Sequence, residues 1–127
     1  MAHPSDRTYS KDHEWVMVDG DVAVIGISDF AQDQLGEVVY VDMPSEGDAL
    51  AAGDAFGEIE SVKSVSELIA PVTGEIVEVN ESLADTPETV NSDAHGAGWM
   101  IKVRMSDDSE LDALLSAEDY DAFIAEG

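Results

Sequence analysis

The sequence contains no cysteine, which excludes disulfides, thiolate metal sites and cysteine nucleophiles. Positive charge is scarce: five Lys and Arg stand against 29 Asp and Glu, a formal net charge of −24. A surface of that sign repels nucleic acid and anionic membranes, so neither is expected as a partner. No apolar run approaches the roughly 20 residues that span a bilayer. The opening stretch MAHPSDRTYSKDHEW lacks the apolar core of a secretory signal and the acid-poor, Arg- and Ser-rich make-up of a transit peptide. The cytoplasm is therefore the expected compartment.

What is present describes a folded chain. It has 127 residues, of which 44% are hydrophobic, enough for one domain with a sizeable core. The acids are spread along the chain rather than gathered in a tail, so like-charge repulsion acts on the whole molecule and is screened by salt. The composition resembles that of halophilic cytoplasmic proteins, the alternative being an ordinary acidic protein.

Hydrophobic alternation predicts mainly β-structure. HEWVMVDGDVAVIGIS reads as a hairpin turning at Asp19-Gly20. SDFAQDQLG fits a short helix capped by Ser28 and closed by Gly36. EVVYVDMP is a strand, EGDALAAGD a turn-rich connection, and AFGEIESV, SVSELIAP, TGEIVEVN and WMIKVRM are further strands. Residues 81–98 are long, polar and irregular, the signature of a loop that is functional or tied down by its own side chains. SELDALLSAEDYDAFIAEG is helical, with Ser109 and Ser116 able to cap two short helices. Gly-Glu-(Ile/Val) recurs in GEVVYV, GEIESV and GEIVEV at unequal intervals, which suits a small sandwich of similar strands and not a solenoid.

The stretch ESVKSVSEL sets Lys63 between two strands, in a chain with only two other lysines, Lys11 and Lys102. A Schiff-base amine needs a lowered pKa, and the acids nearby favour the ammonium instead. Two readings stand: an ordinary solvated lysine, or a lysine displayed on a hairpin tip for covalent attachment of a cofactor. The β-branched Val62 and Val65 would stiffen such a tip, but the spacing alone does not decide. His3, His13 and His95 lack metal-ligand spacing and read as surface or hydrogen-bonded histidines. DDSE at 107–110 lacks a calcium-loop pattern. No GxxxxGK phosphate loop is present, and Trp15 and Trp99 read as core or cleft aromatics. No metal site and no catalytic residue are expected.

The chain resembles the H proteins of the glycine cleavage system. The likeness is carried by YSKDHEWV (9–16), VIGISDFAQDQLGEVVYVDMP (24–44), GEIESVKSVSELIAPVTGEIVEVN (57–80), TVNSDAHGAGWMIKV (89–103) and LLSAEDYDAFI (114–124). Glu60-Ser61-Val62-Lys63-Ser64 follows the H-protein style, where other lipoyl domains usually have Asp-Lys-Ala and biotinyl domains Met-Lys-Met. The resemblance implies a barrel-sandwich hybrid of two antiparallel sheets with short added helices. It implies one lipoyl-carrier domain over 1–127, its core at about 14–105 and its C-terminal helices at about 109–125.

It further implies lipoic acid joined to Lys63 by an amide, and a carrier rather than an enzyme. The implied partners are a pyridoxal-phosphate glycine decarboxylase that loads an aminomethyl group, a tetrahydrofolate-dependent aminomethyltransferase, a flavin- and NAD-dependent dihydrolipoamide dehydrogenase, and a lipoate ligase or lipoyl transferase. The carrier itself is expected to be a monomer. Glu14 and Glu67 match family positions near the cleft that shelters the loaded arm, where a carboxylate could hold the cationic amine. Glu67 departs from the more usual Asp, and Glu14 reads equally as a solvated acid on a strand edge. The alternatives are a lipoyl carrier or relay of the same fold in another pathway, and a biotinyl carrier, against which the missing Met-Lys-Met counts.

Overall fold

The computed structural model describes residues 5–106 and 108–126. His3 and Asp107, the first residue of DDSE, lie outside them. Among the described residues nine strands form two antiparallel sheets. The larger runs β1 (Thr8–Tyr9), β2 (Glu14–Asp19), β3 (Val22–Ile27), β9 (Ile101–Met105), β8 (Gly74–Val79) and β5 (Ala49–Leu50), in that spatial order. The smaller runs β4 (Val38–Asp42), β6 (Ala55–Ser61) and β7 (Val65–Ile69). Helices α1 (Asp29–Leu35), α2 (Ser82–Asp85), α3 (Thr89–Ser92) and α4 (Ala117–Glu126) are added, with a 3-10 segment at Asp108–Ala113.

The alternation in the sequence becomes the core. Ala23, Ile25 and Ile27 of β3, Val38 and Val41 of β4, and Phe56 and Ile59 of β6 turn inward and are buried. Where Trp15 of β2 pairs with Gly26 of β3, a Cβ on the glycine would fall 2.7 Å from the indole. The glycine therefore makes room for the tryptophan. A second cluster fixes α4, with Tyr9 of β1 stacked on Tyr120 at 4.8 Å between ring centres.

The β2–β3 hairpin, α1 with its Ser28 and Gly36 caps, and strands β4, β6, β7, β8 and β9 follow the sequence pattern. Ser116 caps α4 by accepting the Asp119 N–H at 3.1 Å, whereas Ser109 sits inside the 3-10 segment. Three elements depart from the reading. β1 is a two-residue strand, too short to show a period; burial of Tyr9 and two backbone bonds between Tyr9 and Leu115 hold it. β5 lies inside the turn-rich connection. Residues 81–98 hold two short helices, α2 and α3, in place of irregular chain. The chain that follows α3, from Ala94 to Trp99, is held by side chains from elsewhere that bond its backbone. Trp15 Nε1 donates to the Ala94 carbonyl, Asn80 to those of Ala97 and Trp99, and Arg7 to that of His95.

Candidate functional site

β6 and β7 meet at a tight hairpin whose last pair is Glu60 and Val65. The Ser61 N–H donates to the Ser64 carbonyl at 2.8 Å, leaving Val62 and Lys63 as the loop. The Ser61 hydroxyl is the hub of this tip. Its oxygen accepts the N–H groups of Lys63 at 3.3 Å and Ser64 at 3.2 Å. The Val62 N–H donates to the Glu37 carbonyl at 3.0 Å, which ties the tip to the connection between α1 and β4.

Lys63 is exposed on this fixed tip. Among the described residues no carboxylate pairs with its ammonium. Its stem passes over Gly36, where a Cβ would stand 3.4 Å from Lys63 Cε. Gly36 has φ 81°, so the residue that allows this turn also leaves room for the stem. The other two lysines sit differently. Lys11 lies before β2, its ammonium 6.0 Å from the Phe123 ring centre. Lys102, inside β9, is half-buried, 3.4 Å from Glu78 and 4.9 Å from the Trp99 ring centre.

Beside the tip a cleft of about 400 Å³ opens. It begins at Ser64 and Ser66, passes Ile59, Phe30 and Leu35, and reaches His13 and Glu14. Glu14 and Glu67 both line it, but their settings differ. Glu67 is exposed at its edge. Glu14 is almost fully buried and is no solvated strand-edge acid. One of its oxygens accepts the Ile69 N–H at 2.8 Å, so the carboxyl of β2 caps the free edge of β7 and joins the two sheets. The other lies 3.3 Å from the Ser10 hydroxyl. Burial pushes the Glu14 carboxyl up to about 8, against the smaller pull of the Ile69 bond. Near neutral pH burial therefore favours the neutral acid.

Sequence reasoning missed the rest of the wall. His13 has φ 70°, a conformation that a histidine pattern does not announce. Its Nδ1 is 2.8 Å from the Tyr120 hydroxyl, which is 2.7 Å from Ser28 Oγ, the cap of α1. A hydrogen-bonded histidine matches one of the two sequence readings; its place in the cleft matches neither. Burial lowers the His13 pKa and keeps the ring neutral. Ser61 could have been suspected, since Ser before a tight turn often bonds the N–H two residues on.

A family model described as "Glycine cleavage H-protein" matches residues 7–127. A glycine cleavage system H protein of Carboxydothermus hydrogenoformans is 53% identical over 123 residues, covering 97% of this chain and 95% of the relative. One of Staphylococcus epidermidis is also 53% identical, over 126 residues, covering 99% and 100%. The crystal structure of a glycine cleavage system H protein from Mycobacterium marinum superposes with a TM-score of 0.89 at 40% identity, over 96% of this chain and 98% of the other. No helix among the described residues is long and apolar enough to cross a membrane.

Proposed function

The chain belongs to the glycine cleavage H-protein family, and on that premise we propose that Lys63 is the residue to which its lipoyl group is attached and that the neighbouring cleft shelters the arm. The family role is that of a carrier and not a catalyst: it serves the glycine decarboxylase, the aminomethyltransferase and the dihydrolipoamide dehydrogenase of the glycine cleavage system. The covalently bound lipoic acid supplies the sulfur that takes up the one-carbon cargo and the dithiol that is afterwards reoxidised.

The observation that carries the proposal is the tip itself. Lys63 is exposed, unpaired among the described residues, and held on a backbone pinned by the Ser61 hydroxyl and the Glu37 carbonyl. An amide on its nitrogen removes one charge and breaks no ion pair among those residues. The residues present fit an acyl arm: Gly36 gives the stem room, and the cleft that starts at Ser64 has an apolar wall in Ile59, Phe30 and Leu35. Such a wall excludes water from a hydrolysable cargo. Glu14 at the inner end and Glu67 at the lip would then flank the cationic amine of that cargo. A cation beside Glu14 favours its carboxylate, so the acid gives up its proton as the cargo enters.

The test is Lys63→Arg, which keeps charge and bulk but cannot form the amide. The variant should fold normally, take up no lipoyl mass and support no glycine–bicarbonate exchange with the decarboxylase. Acylation of Lys11 or Lys102, found by peptide mapping, or full exchange activity in the variant, would overturn the assignment.

A further inference from the structure

Among the described residues five large hydrophobic side chains are well exposed, and four of them, Val39, Tyr40, Val62 and Val65, lie on the three-stranded sheet or its tip, between 41% and 66% exposed. The strand register gathers them. Tyr40, Glu60 and Val65 stand opposite one another across β4, β6 and β7 and form one outward row. Asp42, Glu58 and Glu67 form another, while the row between, Val41, Ile59 and Ser66, faces inward. β4 carries a bulge here: Val38 is opposite Ser61 and Tyr40 opposite Glu60, so Val39 is the additional residue and both it and Tyr40 turn out to solvent. Bulges re-aim side chains, and this one adds an apolar residue to a face that already carries Tyr40.

The charge around the patch is of one sign. From Glu37 to Ala70 the chain has eight acids, and Lys63 is its only base. Acylation removes even that. An apolar centre within a charged rim is the anatomy of a docking surface, and exposed tyrosine is a frequent anchor in one. The row of Tyr40, Glu60 and Val65 faces away from Ile59 and Ser66, which line the cleft, whereas Glu67 of the other row stands at the cleft's lip. A partner seated on Tyr40 and Val65 reaches Lys63 while leaving the cleft open. That arrangement suits the enzyme that loads the arm, because a loaded arm has to enter the cleft afterwards.

We propose that the outer face of β4, β6 and β7, centred on Val39, Tyr40 and Val65, docks the enzyme that loads the arm, through an apolar depression rimmed by Lys and Arg on that enzyme. The proposal rests on Lys63 being the attachment site, and the experiment separates the two. Fully lipoylated protein, the double variant Val39→Ser/Tyr40→Ser and the control Val18→Ser, the remaining exposed hydrophobic, are titrated into the pyridoxal-phosphate glycine decarboxylase. Intact mass first establishes loading at Lys63; unloaded protein would speak against the attachment site and not against the docking face. The double variant should raise the half-saturating carrier concentration about tenfold at unchanged maximal rate, with Val18→Ser within twofold of the parent. Should the double variant melt early, Tyr40→Gln alone serves, with at least a threefold rise expected. Half-saturation within twofold of the parent in the folded variant, or an equal rise in Val18→Ser, would refute the docking face.

Discussion

Glu14 shows how a single carboxyl can hold two sheets together from a place where burial disfavours its charge. Its oxygen closes the free edge of β7 at Ile69, so the group is needed where burial disfavours its charge. Its folded pKa of about 8 lies above the ordinary value of 4.5, so the folded protein holds a proton there that the unfolded chain releases. Stability from this group is present below the unfolded value and is lost as pH rises toward 8, on the order of a few kcal/mol. Glu14→Gln keeps an acceptor for the Ile69 N–H and cannot ionise. The parent should match or exceed the variant in melting temperature at pH 5.5 and fall below it at pH 9; a difference that stays constant across that range would place the Glu14 pKa near its ordinary value. The same variant, beside Glu67→Gln, tests the cargo role. Neutralising Glu14 should shorten the lifetime of the loaded arm several-fold, and Glu67, exposed at the lip, should matter less. Equal hydrolysis rates in both variants and the parent would make these acids irrelevant to the cargo.

Among the elements, the hairpin bearing Lys63 depends on a neighbour far off in sequence. The Val62 N–H rests on Glu37, and the Gly36–Val38 segment is itself held by Asn91 at the centre of α3. Asn91 accepts the Val38 N–H at 2.8 Å and donates to the Gly36 carbonyl at 2.7 Å and to Gln32 at 2.9 Å. Asn91→Ala would leave the Val38 N–H without that acceptor and cost about 2 kcal/mol. Amide exchange at Val38 and Val62 should quicken together in the variant, ahead of the rest of β4; unchanged exchange at Val62 would mean that the tip holds itself. The sequence reads the long polar segment 81–98 as an irregular loop, functional or tied down by its own side chains; its two helices were not legible, and side chains from distant positions help to hold it. α2 and α3 have four residues each, too few to show a period, and the turn after α3 is held by Trp15 of β2, by Asn80 just after β8 and by Arg7. The strands of the hairpin, by contrast, were readable because valine, isoleucine and glutamate alternate within one run and the pairing partner is the next run along.

At the scale of the whole molecule, the hairpin that carries Lys63 was legible because its two strands are consecutive, whereas the cleft was only half so. The identities of Glu14 and Glu67 stood in the sequence, but which would be buried depended on β7 coming to lie against β2. Charge is the property most fully written in the sequence, and its consequence is global. Asp6, Glu75 and Glu78 each have a Lys or Arg partner, but the whole chain has only five such cations against 29 acids. Two of those pairs are substantially exposed, worth a few tenths of a kcal/mol at most. Five cations are too few to offset the rest, and the remaining repulsion acts over the screening length, about 10 Å at 0.1 M salt and about 3 Å at 1 M. The melting temperature should therefore climb steeply between dilute buffer and molar KCl, then flatten once the screening length is shorter than the spacing of neighbouring acids. The slope should also be smaller at pH 4, where protonation has already discharged much of the surface. A melting temperature independent of salt at pH 7 would show that bound cations or clustered hydration balance the acids, and the net charge of −24 would then carry no penalty for the fold.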